Sequence, residues 1–281
     1  MDWLDALILG LVQGLTEFLP ISSSAHLRFI GELIGNDDPG AAFTAITQIG
    51  TEAAVLIYFW KDIKRIVSRW WFSLPVFGPS KRLPASDLDA RMGWMIIVGS
   101  IPIGILGLLF QDWIDTTLRN LWITVAMLAI FGVLLGWVDR AFVSHKTLDR
   151  LSWGDAISYG LAQALALIPG VSRSGGTITA GRALGYTREA AARYSFLLAM
   201  PAVFASGLYK VYQVFSGGDE IYWGSTLLAT VVAFGVGFLV IMWFLKLVSN
   251  RSFMPFVVYR LVLAAVIALC LMMGLVSPTG A

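Results

Sequence analysis

Residues Gly14–Phe29 read GLTEFLPISSSAHLRF. The stretch begins as the end of an apolar helix, breaks at Pro20, and continues through Ser22, Ser23 and Ser24 to His26, with Glu17 embedded before the break. The apolar run leading into it, about 4–19, is shorter than the ~20 residues a helix needs to cross hydrocarbon. A second run, about 155–168, is equally short and ends alike, in IPGVSRSGG. Irregular backbone at membrane depth persists only where protein or a wet cavity surrounds it. Both stretches therefore predict re-entrant helix-loop-helix hairpins. A full span kinked at its proline is the alternative.

The rest of the chain supports this setting. It has 281 residues, 57% of them hydrophobic and only 14% charged, with a mean hydropathy of +0.76. Soluble domains carry about 25% charged residues, so a soluble fold is excluded; no nucleic-acid partner is expected. Six stretches are long and apolar enough to span: about 43–60, 92–110, 120–138, 191–212, 224–245 and 255–275. The expected fold is an all-α polytopic membrane protein, one integral domain of six transmembrane helices plus two re-entrant hairpins. Cys270 is the only cysteine, which rules out a disulfide within the chain. Asp2 and Asp5 stand where a cleaved leader would carry basic residues, so no such leader is expected.

Basic residues set orientation. Lys61, Lys64, Arg65, Arg69, Lys81, Arg82 and Arg91 cluster after the first span; Arg140, Lys146 and Arg150 follow the third; Lys246 and Arg251 follow the fifth. With six spans and two hairpins all three clusters fall on one side, the cytoplasm, and both termini fall outside. Tryptophans such as Trp70, Trp71 and Trp153 read as interface anchors.

The two hairpins are also related. Offset by 150 residues, Gly10, Leu11, Gln13 and Leu15 fall on Gly160, Leu161, Gln163 and Leu165; Ser22 and Ser24 on Ser172 and Ser174; Gly31 and Gly35 on Gly181 and Gly185. Three spans separate the copies, so the second enters from the opposite face. The pattern predicts an inverted-topology repeat, about 1–138 and 150–275. Broken helices in such folds meet near the midplane and build the site there, so Ser22–His26 should face Ser172–Thr177.

The polar residues of these loops suit chemistry on a phosphate. An ionised carboxylate in hydrocarbon is costly and usually functional. Glu17, with Gln13 one turn earlier on the same face, could bind a divalent cation, orient a base, or simply pack the hairpin. Serine needs a neighbouring base to act as a nucleophile, and His26 can supply one or attack phosphorus itself. In Pro169–Thr177, PGVSRSGGT, glycines and serines flank Arg173 ahead of a helix. Backbone N–H groups and a planar guanidinium make an anion cradle, with a salt bridge from Arg173 to Glu17 as the alternative. Glu52 lies within a span and is expected to face Arg260 or Arg28. Arg260 reads equally as a phosphate residue or an ion-pair partner. The pocket so assembled suits phosphoryl transfer to or from a molecule with a lipid tail and a phosphate head.

The sequence resembles the bacterial undecaprenyl-diphosphate phosphatases of the bacitracin-resistance type. The resemblance rests on Gln13–His26, QGLTEFLPISSSAH, and on PGVSRSGGT, supported by QIG at 48–50, SFLLAMP at 195–201 and PFVVYR at 255–260. It implies hydrolysis of the C55 isoprenyl diphosphate to its monophosphate and inorganic phosphate in the bacterial plasma (inner) membrane, recycling the lipid carrier for cell-wall synthesis. It also implies a divalent cation, Mg²⁺ or Ca²⁺, with Glu17 as its ligand. Glu17, Ser23, His26 and Arg173 become the catalytic set. Gln13, Ser22, Ser24, Ser172, Ser174, Gly175, Gly176 and Thr177 become the substrate-binding set. Gln13 departs from the glutamate of many members. A transporter or flippase of a polyprenyl phosphate is the second expectation, because inverted repeats with broken helices are a transporter layout. The glycine-rich span around Gly99–Gly107 permits close helix packing and leaves a homodimer open.

Overall fold

The computed structural model describes residues 2–34, 40–78, 82–142, 144–216 and 221–279. Gly35 and Lys81, used above for the repeat and the charge pattern, lie outside them. Among the described residues the structure is helical. The first hairpin is α1 (Trp3–Thr16) and α2 (Ser23–Leu33); the second is α8 (Trp153–Leu165) and α9 (Arg173–Ala183). The spans are α3 (Gly40–Tyr58), α5 (Leu88–Leu109), α7 (Leu121–Ala141), α10 (Arg188–Phe215), α11 (Trp223–Val248) and α12 (Met254–Met272). α4 (Trp60–Phe72) follows α3 across a bend of 83°, and α6 (Gln111–Asp115) is a short turn after α5. Among the described residues α5, α7, α10, α11 and α12 are each long and apolar enough to cross a membrane, whereas the first expected span, α3, qualifies only together with α4 as a bent pair.

α4 goes beyond the sequence reading, which left 61–91 as a connection. Its apolar residues Ile63, Ile66, Val67 and Trp70 recur at helical spacing while lysines and arginines fill the other face. Such a helix lies along the interface rather than through it.

Contacts at the helix ends define two faces. On one, Asp139 at the end of α7 binds Arg182 at the end of α9 (3.0 Å) and Arg188 at the start of α10 (2.8 Å). It also accepts the Phe253 N–H just before α12 (3.1 Å). Arg193 of α10 pairs with Asp62 of α4 (2.8 Å), and Arg69 pairs with Asp87, the N-cap of α5. This is the basic face. On the other, Arg28 donates to the Arg119 carbonyl (2.8 Å), Glu32 accepts the Ser277 N–H, and Leu121 N–H reaches the Pro278 carbonyl (2.8 Å). Phe215 stacks on Trp223 there, and Trp3 packs over Gly224. The first hairpin thus enters from the second face and the other hairpin from the basic face.

Each hairpin leans on a span from the other half of the chain. A β-carbon at Gly10 would stand 2.6 Å from the Ala229 carbonyl oxygen of α11, and one at Gly160 would stand 2.5 Å from the Gly99 carbonyl oxygen of α5. These two glycines are equivalent under the 150-residue offset, and each lets backbone approach backbone. The core proper lies towards the basic face, where Tyr159, Tyr186 and Tyr194 meet edge to face beside Phe196, Phe244, Phe253 and Phe256.

Candidate functional site

The two loops meet inside the bundle. Ser22 and Ser172 both adopt positive φ, 72° and 70°, as the residues before α2 and α9. In each, the hydroxyl lies 3.1 Å from that of the serine two residues on, Ser24 or Ser174. Ser174 also donates to the Leu19 carbonyl (2.9 Å), so the second tip touches the first. Between them lies Arg260, fully buried. Its guanidinium donates to Pro20 of the first loop (3.1 Å), Gly170 (2.8 Å) and Val171 (3.1 Å) of the second, and Met127 (3.2 Å) and Leu128 (3.1 Å) of α7, all through carbonyl oxygens. It has neither of the roles expected for it. Among the described residues it holds no carboxylate, and it serves the loops as a common fastener.

Arg173 is the charged centre. It donates to Glu17 (2.6 Å) and to Glu52 (2.7 Å). Glu52 therefore faces Arg173, not Arg260 or Arg28, because α3 presents it to the second tip. The Arg173–Glu17 salt bridge, weighed above as the alternative, is present. Gln13 donates to Glu17 (2.8 Å), and the Ser23 hydroxyl donates to the same carboxylate (2.5 Å). Both acids are buried, Glu17 at 6% exposure and Glu52 at 0%. Three polar atoms of this network have no partner although fully buried: Nη1 of Arg173, Oε2 of Glu52 and Oε1 of Gln13. Buried polar atoms are normally satisfied, so three orphans around one guanidinium make this a candidate ligand site.

His26 is held apart from Ser23. Its Nδ1 contacts the Ser22 carbonyl (2.7 Å) and its Nε2 the Tyr259 hydroxyl (2.8 Å). The base beside Ser23 is Glu17, and the direct Ser23–His26 assistance expected from sequence is absent. Ser172 caps α9 by accepting the Gly175 N–H (3.1 Å), whereas Ser22 gives α2 no side-chain cap. Both helix starts offer N–H groups and a positive dipole, and that of α2 carries no side-chain cap. Gly175 and Gly176 have packing reasons to lack a side chain. A β-carbon at Gly175 would stand 2.7 Å from Nη1 of Arg260, and one at Gly176 would stand 3.1 Å from the Ala162 carbonyl oxygen. Thr177 is tied to Ser195 of α10 (2.5 Å), which fixes α9 behind Arg173. Sequence reasoning missed Tyr259, whose only signal was its place beside Arg260 in PFVVYR.

The family model for bacitracin resistance protein BacA matches residues 6–266. The chain belongs to this family. Similar to this BacA-family chain are an undecaprenyl-diphosphatase of Micrococcus luteus, 61% identical with 99% of this chain and 100% of the relative covered, and one of Renibacterium salmoninarum, 54% identical with 99% of each covered. Undecaprenyl-diphosphatase 2 of Agrobacterium fabrum is 57% identical, with 100% of this chain and 99% of the relative covered.

Proposed function

We propose that this chain hydrolyses a polyprenyl diphosphate, undecaprenyl diphosphate by the named activity of its relatives, to the monophosphate and inorganic phosphate. The observation that carries this reading is the Ser23–Glu17–Arg173–Glu52 chain of contacts beside the uncapped start of α2. It offers a hydroxyl, a base within proton-transfer distance, and donors for a phosphoryl group. The relatives' names favour hydrolysis over carriage. The basic face is assigned to the cytoplasm and both termini to the outer face of a bacterial plasma membrane, on the positive-inside rule.

The Ser23 Oγ attacks the terminal phosphorus in line while its proton passes to Glu17. The bond from phosphorus to the bridging oxygen breaks, and the lipid monophosphate leaves. Charge spreads over the equatorial phosphoryl oxygens, where the free Nη1 of Arg173 and the first amides of α2 can receive it. Water then attacks the phosphoserine, and its proton passes to Nε2 of His26 by way of the Tyr259 hydroxyl that lies on that nitrogen; His26 is three residues from Ser23 and so shares its helix face. The phosphorus–Oγ bond breaks, Glu17 returns the proton to Ser23, and inorganic phosphate departs.

The donor chemistry also fits a divalent cation, Mg²⁺ or Ca²⁺. Two carboxylates against one guanidinium leave an excess negative charge where a phosphate must bind. Glu17, Glu52 and the orphan Oε1 of Gln13 form an all-oxygen set, which such hard cations prefer. When bound there, the ion would neutralise charge on the phosphoryl oxygens. Among the described residues no three His, Cys, Asp or Glu side chains gather as a metal cluster. Water and substrate oxygens would complete the shell, as Mg²⁺ sites commonly allow.

The test is phosphate release from polyprenyl diphosphate by purified protein. Glu17→Ala and Arg173→Ala should each abolish it while leaving the protein folded. Normal turnover in both variants would sink this site. Trapping the covalent intermediate separates the nucleophiles: phosphoserine at Ser23 survives acid and is lost in alkali, whereas a phosphohistidine at His26 is lost in acid.

A further inference from the structure

The Ser22 carbonyl can only accept a hydrogen bond, so at 2.7 Å the proton on the His26 ring resides on Nδ1. The lone pair of the neutral ring is then on Nε2, and the atom lying on it is the hydroxyl of Tyr259, at 2.8 Å. The two rings run nearly parallel, 8° apart. His26 is 4% exposed and Tyr259 is 46% exposed, between the exposed Val258 and Val262 of α12. The buried imidazole therefore has one polar neighbour leading out of the protein. A tyrosine hydroxyl donates to a neutral Nε2 and accepts from a protonated one, so it can follow the ring through a proton cycle without moving.

We propose that Tyr259 is a positioning and proton-relay residue for the hydrolysis, acting through His26. It holds the ring in the tautomer that turns the Nε2 lone pair to its hydroxyl; it takes the proton of the hydrolytic water while giving its own to Nε2, and then returns a proton to the departing phosphate as the ring gives its proton back. No atom is gained or lost by the protein over a cycle. The proposal rests on the reading of His26 as the base of the second step. Because His26 is three residues past Ser23 while the Ser23 proton goes to Glu17, loss of Tyr259 leaves formation of the phosphoserine intact and slows its breakdown.

The test uses the full-length protein and Tyr259→Phe, which removes one oxygen from a half-exposed side chain. The expected result is a fall in kcat of about tenfold or more with a parallel fall in KM, so that kcat/KM changes less than about twofold, and accumulation of the acid-stable phosphoenzyme. A second readout needs no substrate. The chain has two histidines, so His145→Gln leaves His26 as the single ¹⁵N-histidine signal. In that background Tyr259→Phe should shift the unprotonated ring nitrogen, which loses its hydrogen-bond donor, and leave the protonated one in place. Full turnover in Tyr259→Phe, a loss confined to KM, or an unmoved nitrogen resonance would each overturn the proposal. Absence of phosphate release by the wild-type protein would strike the proposed activity instead, while the nitrogen signal would still decide whether Tyr259 orders His26.

Discussion

Arg173 shows how much chemistry one side chain can decide. Its guanidinium spans two buried carboxylates and keeps one nitrogen unpartnered. A lysine would keep the charge but not the planar fork. Arg173→Lys should therefore lower kcat/KM by about 100-fold or more, the scale of losing a transition-state donor, with the helical content unchanged by circular dichroism. Arg260 makes the complementary case. Its five carbonyl partners lie on two loops and a span, and a lysine's three donors on one atom cannot serve them. Arg260→Lys should cost about 3 kcal/mol, since hydrogen bonds from charged donors contribute about 1.5–3 kcal/mol each. Thermal unfolding in detergent would check it. Glu17, Ser23 and Arg173 were legible in sequence because charge and serine runs are conspicuous in an apolar chain. The partners of Glu52 and Arg260 were not, because which helix faces which depends on packing that no local pattern encodes.

At the scale of elements, the two loop serines behave as a controlled pair. Positive φ disfavours a residue with a side chain by about 1–2 kcal/mol, and glycine relieves that. Ser22 caps nothing, whereas Ser172 caps α9, and losing such a cap costs about 1 kcal/mol. Ser22→Gly should thus raise the melting temperature, and Ser172→Gly should leave it nearly unchanged. The packing of α8 on α5 predicts a second contrast. Gly160→Ala forces a β-carbon to within 2.5 Å of a backbone carbonyl oxygen, whereas Gly104→Ala meets nothing within 4 Å. The first should destabilise by about 1–3 kcal/mol and the second should be silent. The junction of α4 and α5 carries a pH response. Arg69 holds the Asp87 carboxyl below its ordinary value, helped by the N–H of Ala90. That contribution is present above the ordinary aspartate value of about 3.9 and is lost as pH falls through the lowered one. Hydrogen exchange at the start of α5 should accelerate over that acid range. α4 itself escaped the sequence reading because its strong charge masked an apolar stripe; the six spans did not, because length and hydropathy identify them directly.

For the whole molecule, the inverted arrangement was readable from a gapless match between two short motifs, since the number of intervening spans sets the direction of entry. What the match could not reveal is the exchange of supports, by which α1 leans on α11 and α8 on α5. It follows that neither half owns its hairpin. The fastening at Arg260 has a mechanical corollary. Prising the tips apart would strip several charged hydrogen bonds from a fully buried side chain, at a penalty of many times thermal energy. A diphosphate head must therefore reach the centre past the flank of the joined tips, so traffic in and out of this enzyme runs around a rigid keystone.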